Sequence, residues 1–255
     1  MSYGDIMLKS DIYLSCPTSK GKKRDLEDIV SEAIKKEIDV LSIVDSIEEN
    51  NGILITTYLC DPTSSRRGEI SNLQKLRKEI TLLNGIQVSN PHLREKELKL
   101  YATFPMDVIT GIVPNICSHL EHEEEIQKAY EDYYLRNLHA VQKGNIDVLA
   151  QLGSIHTHYG YDYHNYALID TLLKQLVDKE IALEVTSGIK RKDAFTTIPS
   201  YPILKHYKEL GGENVVVGSC IRNALGRNLE EAYKVVQDLD LHPGYFQKRK
   251  FKKIL

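Results

Sequence analysis

The stretch AYEDYYLRNLHAVQKGNIDVL (129–149) carries two periodicities in one run. From Glu124 to Lys143 the pattern is that of a long helix. After Gly144 a short apolar strand begins, Val148–Leu152. The same unit recurs outward in both directions. Downstream, a helical pattern over Tyr166–Lys179 leads to a strand at Ala182–Val185. A second, over Tyr201–Leu210, is stopped by Gly211-Gly212 before the strand Val215–Val217. Leu229–Leu239 closes the series. Upstream lie strand-like runs at Ile6–Leu14, Val40–Val44, Gly85–Val88 and Asp107–Val113. Leu26, Ile29, Val30, Ala33 and Ile34 fall at helical spacing behind Asp25, a helix cap with acidic residues after it. Leu73, Leu76, Ile80 and Leu83 mark a further helix. Seven strand–helix units imply a parallel sheet, and that number predicts a closed α/β barrel in a single domain spanning residues 1–255.

Composition narrows the function classes. A chain of 255 residues with 42% apolar content can bury one large core. Net charge −3 and a pI near 6.3 speak against a nucleic-acid or anionic-membrane binder. Met1 to Leu8 shows no signal-peptide pattern, and no run reaches the length of a membrane span. Cys16, Cys60, Cys117 and Cys220 are scattered without a CxxC pair, as for free thiols in a reducing compartment. A cytoplasmic protein is expected. The irregular stretch Gly52–Gly68, with Arg66-Arg67, is expected as a long loop over the barrel mouth. The basic run QKRKFKK (247–253) reads as a soluble terminus.

The strand runs end in polar turns: DIYLSCP (11–17), LSIVDS (41–46), GIQV (85–88), DVITGIVP (107–114), LAQLGSIH (149–156) and VVVGSCIR (215–222). With 129–149, ALEVTSGIKRK (182–192) and SYPILKHYKELGG (200–212), they resemble the PHP (polymerase and histidinol phosphatase) superfamily, and within it the histidinol-phosphate phosphatases. The resemblance covers nearly the whole chain and implies a distorted, TIM-like (βα)7 barrel with its site at the C-terminal strand ends. It also implies hydrolysis of a phosphate monoester by clustered divalent cations, held by His, Asp and Glu from several strands.

On that resemblance, the metal-ligand positions fall on other residues. The first-strand His-x-His falls on Tyr13 and Ser15, and the acid–His pair after the second strand on Asp45 and Ser46. The bridging Glu becomes Gln87, and the histidine ending the fourth strand becomes Pro114. The fifth-strand motif falls on Gly153, Ser154, Ile155 and His156, and the last on Ser219, Cys220, Ile221 and Arg222. Tyr13, Gln87, Pro114 and Cys220 are expected to face the mouth without a metal among them. The implied reading is a catalytically degenerate relative without a cofactor, a binding or regulatory protein. Its partners would be a small phosphorylated metabolite or inorganic anion, or a protein covering the mouth. Lys190, Arg191 and Lys192 match the segment whose arginine, by resemblance, contacts phosphate. Arg222 is expected either to join them, since guanidinium binds phosphate without a metal, or to plug the cavity against Asp45 or Glu184.

Two further constellations stay open. His156 and His158, if extended, would share one face and, with Asp45, hold one Zn, Mn or Fe ion in a reduced site of an active phosphomonoesterase; otherwise they are loop histidines, with His164, beside tyrosines. Cys220 followed by Arg227 approaches the Cys-x5-Arg loop of thiolate phosphatases but misses by one residue and lacks its glycines.

Overall fold

The computed structural model describes residues 8–15, 25–50, 53–56, 65–114, 120–159, 165–191, 194–219 and 225–254; within these, 13–15, 46–50, 53–56, 65–67, 187–191 and 194–196 are described by backbone alone. Strands β1 (Ser10–Ser15), β2 (Val40–Asn50), β4 (Thr81–Ser89), β5 (Val108–Ile112), β6 (Val148–Ala150), β7 (Ala182–Arg191) and β9 (Asn214–Ser219) pair in parallel. Because β9 returns to β1 through Ile12 and Gly218, the seven strands close into a barrel. Helices α1 (Leu26–Lys35), α2 (Ser65–Leu76), α3 (Glu95–Tyr101), α4 (Glu123–Lys143), α6 (Tyr166–Asp178), α7 (Tyr201–Glu209) and α8 (Leu229–Asp238) follow the successive strands, with a single-turn α5 (His156–Tyr159) before α6. The fold is therefore the TIM-like (βα)7 barrel read from the strand–helix alternation. None of the described helices is long and apolar enough to cross a membrane.

Local chemistry explains the best-read elements. Asp25 caps α1, accepting from the Glu27 N–H at 2.8 Å, and Leu26, Ile29, Val30 and Ala33 bury one stripe of that helix. Strand side chains alternate between two cores. Leu41, Ile43, Ile109, Leu149, Leu183, Val215 and Val217 pack outward under the helices. Ile12, Val44, Val108, Val148, Ala182 and Val216 form a separate apolar layer inside the barrel, with Phe246. β4 supplies Gly85 to that layer, where a Cβ would lie 2.4 Å from a Val108 methyl and 2.6 Å from the Val108 carbonyl oxygen. A side chain there does not fit, so β2 and β5 close over a residue without one.

Three antiparallel additions were not read from sequence. β3 (Ile53–Thr56) folds back on the end of β2, so part of the expected 52–68 loop is a hairpin, and α2 already begins at Ser65. β8 (Ala194–Ile198) pairs with β7. The basic run at 247–253, expected as a terminus, is the turn and second strand of a hairpin, β10 (His242–Gln247) and β11 (Lys250–Lys253). β10 lies beside the first half of β9, and Phe246, packed edge-on to Phe251, seals the barrel floor. Ile80 and Leu83, read as helical, belong to the approach and body of β4. Their spacing from Leu73 and Leu76 ran across an element boundary.

Candidate functional site

Two residues beyond the apolar layer, the same inward frame carries polar and small groups: Gln87 on β4, Thr110 on β5, Glu184 on β7 and Gly218 on β9. This layer sits at the C-terminal ends of the strands, where barrel enzymes place their sites. Glu184 is 5% exposed, and the N–H of Gln151 donates to its Oε2 at 3.2 Å. Burial, with a smaller push from the Asp11 charge, raises its pKa to about 7. Gly218 makes room for it, because a Cβ at 218 would stand 2.7 Å from Glu184 Oε1. Thr110 and Thr186, also buried, carry hydroxyls without a hydrogen-bond partner among the described residues.

The loop after β6 is held from α4. Tyr133 donates to the Gln151 carbonyl at 2.9 Å and accepts from the Gly153 N–H at 3.0 Å. Its neighbour Tyr134 meets His156 Nε2 at 3.0 Å, and the two tyrosine rings stand edge to face. These bonds fix Gln151, whose N–H reaches Glu184. Tyr133→Phe is expected to destabilise the protein by about 1–2 kcal/mol in urea titration, since it strands the buried Gly153 N–H. A loss below about 0.5 kcal/mol would mean that the loop is held by other contacts.

The structure sorts the sequence-predicted residues. Gln87 is buried in the inward frame, and Pro114 is exposed just past β5. Tyr13 and Ser15 lie on β1, described there by backbone alone, and pair in register with Ile43 and Asp45. Asp45, half-buried, shares the frame of Ile43, which packs under the helices. Ser46 pairs with Gln87 in register; nothing is described of its side chain. Ser154 is half-buried at the turn into α5. His156 and His158 do not share an extended face. They lie two apart on α5, roughly 200° around a helix. The His156 ring is taken up by Tyr134 and Tyr130, while His158 is exposed. Lys190 and Arg191 lie on β7, described by backbone only. Lys192, His164, Cys16, Cys60, Cys117, Cys220 and Arg222 lie outside the described residues.

A multinuclear metal centre needs several carboxylates and imidazoles on one cavity. Among the described residues no group of three or more His, Cys, Asp or Glu is placed to hold an ion. The described mouth layer offers one carboxyl, a neutral amide and hydroxyls, which do not make up such a set. Glu184 was named from sequence only as a partner for Arg222. A lone acid inside the apolar run of β7 was the available signal for it.

No protein-family model matches the chain. It is 27% identical to a probable histidinol-phosphatase of Clostridium acetobutylicum over 240 residues, 84% of this chain and 93% of that one. A probable histidinol-phosphatase of Thermotoga maritima is 26% identical, with 88% of this chain and 89% of that one covered. In fold, it matches a histidinol phosphate phosphatase from Lactococcus lactis, solved with zinc, L-histidinol and phosphate, at a TM-score of 0.73 and 18% identity over 96% of this chain and 99% of that one. In sequence over most of its length the chain is similar to these probable histidinol-phosphatases, and in fold over nearly all of it to the histidinol phosphate phosphatase.

Proposed function

We propose that this protein uses the histidinol-phosphatase barrel to bind a small phosphorylated metabolite or inorganic phosphate, without the clustered-metal hydrolysis of that family. The observation that carries the reading is the polar layer at the mouth. Where the family resemblance calls for a bridging carboxylate, the buried Gln87 amide stands in the inward frame. The carboxyl described in the same inward layer, Glu184, is shifted by burial to about 7 and is largely uncharged in mildly acidic solution. A site of this charge neutralises no divalent cluster, whereas cationic side chains from the Lys190–Lys192 segment and Arg222 suit an anion directly.

Elemental analysis of purified protein, paired with a phosphomonoesterase assay, tests this. The expected result is no stoichiometric zinc, manganese or iron, no metal-dependent turnover, and no change in melting temperature with chelator. Millimolar phosphate is expected to raise the melting temperature beyond a chloride control of equal ionic strength. Stoichiometric metal with metal-dependent turnover would establish the competing reading, an active phosphomonoesterase with a relocated metal site. Absence of a phosphate effect, or its persistence in Arg222→Ala, would remove the anion pocket.

A further inference from the structure

At the opposite end of the barrel from the mouth, a groove of about 650 Å³ opens between α2, the start of β4, the approach to β5 and the β10–β11 turn. Its size is that of a small-molecule site. Ile70, Leu82, Phe104 and Met106 line it with apolar surface. Lys75, Lys248 and Arg249 line it too, against one acid, Asp107. That acid is already engaged, accepting from the Asn84 N–H at 3.0 Å and the Lys248 N–H at 2.9 Å. Arg249 is held by Asp147 at 2.6 Å and by the Asn145 carbonyl at 3.0 Å. The Lys75 and Lys248 ammonium groups have no ion-pair partner among the described residues.

The turn carrying two of these cations is itself unusual. Lys248 and Arg249 have φ of 52° and 62°, the left-handed region, at both central positions of a two-residue hairpin. Such turns strongly favour Asn-Gly, which relieves that strain. Here the strained positions hold long cationic side chains instead, and Asp107 and Asp147 staple the turn in place. Strain maintained by surrounding bonds is a reason to look for a ligand.

We infer that this groove is a second binding site, for a compact organic anion with an apolar body and a carboxylate, sulfonate or phosphate head. The body lies on Ile70, Leu82, Phe104 and Met106, and the head meets Lys75 and Lys248. The site is separate from the mouth and does not depend on the reading given for it.

Naphthalene-2-sulfonate is a suitable probe, because it cannot be hydrolysed and carries both features. The chain has three methionines, Met1, Met7 and Met106, so ¹³C-methyl labelling gives a local reporter once Met106→Leu assigns its signal. Titration is expected to shift the Met106 methyl saturably. Neutral naphthalen-2-ol is expected to bind at least fivefold more weakly, and Lys75→Glu with Lys248→Glu to weaken the sulfonate at least tenfold. Lys75→Glu alone, an exposed position on α2 outside the turn itself, is expected to weaken it about threefold and covers the case in which the double variant misfolds. No movement of Met106 up to about 20 mM, equal binding of the neutral compound, or unchanged binding in Lys75→Glu would each overturn the site.

Discussion

Glu184→Gln is expected to stabilise the protein by about 3 kcal/mol at pH 8 and to change it little at pH 4. The carboxyl is fully buried and its folded pKa is raised from 4.5 to about 7, chiefly by loss of hydration. A tenfold change in proton affinity between the folded and unfolded chains corresponds to about 1.4 kcal/mol. The sign follows from proton counting. Below pH 4.5 both states hold the proton, so the group contributes nothing to the pH dependence. Between 4.5 and 7 the unfolded chain has released it and the folded one has not, so stability falls as pH rises. Above 7 the deficit is constant. Glutamine is neutral throughout, matches the shape, and keeps an oxygen for the Gln151 N–H, which now meets Glu184 at 3.2 Å. Urea titrations of both proteins from pH 5 to 8 are expected to diverge by about 1.4 kcal/mol for each pH step of one up to 7. A flat difference would show an ordinary carboxylate. A loss of stability at pH 8 would show a cation seated on Glu184, the role in which Arg222 plugs the barrel, and would count against the anion pocket.

How far the sequence could be read depends on how local each signal is. α1 was legible because Asp25 and the stripe from Leu26 to Ala33 are contained within one element. Leu73, Leu76, Ile80 and Leu83 keep helical spacing across the turn between α2 and β4, so periodicity alone could not find the boundary. The β10–β11 hairpin lacked the Asn-Gly signal, since Lys248 and Arg249 occupy its turn. At the mouth, the resemblance located the strand ends, but the inward frame is set by neighbours distant in sequence. Ile12 pairs with Ser42 on one side and Gly218 on the other, and DIYLS alone does not show which alternate residues those partners turn inward. The turn GSIHTHYG contains no residue that forbids an extended path. Tyr133 and Tyr134, on the preceding helix, fix its course.

Asp11→Ala is expected to cost about 3 kcal/mol or more in urea titration at pH 7, the largest loss among single truncations at this end of the barrel. Asp11 is fully buried on β1, and its carboxylate accepts from the Ser219 N–H at 2.8 Å, the Ser219 hydroxyl at 2.5 Å and the Gly226 N–H at 2.9 Å. Burial raises its pKa, and these three donors, with Lys36, pull it back. Alanine leaves the buried Ser219 N–H and hydroxyl without this acceptor and the half-buried Gly226 N–H with one acceptor fewer, at about 1–3 kcal/mol for each stranded buried group, partly offset by the charge no longer buried. The Gly226 N–H keeps the Ser219 hydroxyl at 2.8 Å, so the Ser219 N–H is the group most exposed to the loss. Asp11→Asn keeps one acceptor and removes the charge, so about 1 kcal/mol is expected. The same bonds tie both flanks of the segment that holds Cys220 and Arg222 to the first barrel strand. If Arg222 binds phosphate from that segment, Asp11→Asn is expected to weaken the phosphate-induced rise in melting temperature while the fold survives. A phosphate effect of full size in a destabilised Asp11→Asn would show that Arg222 does not depend on these bonds for any phosphate contact.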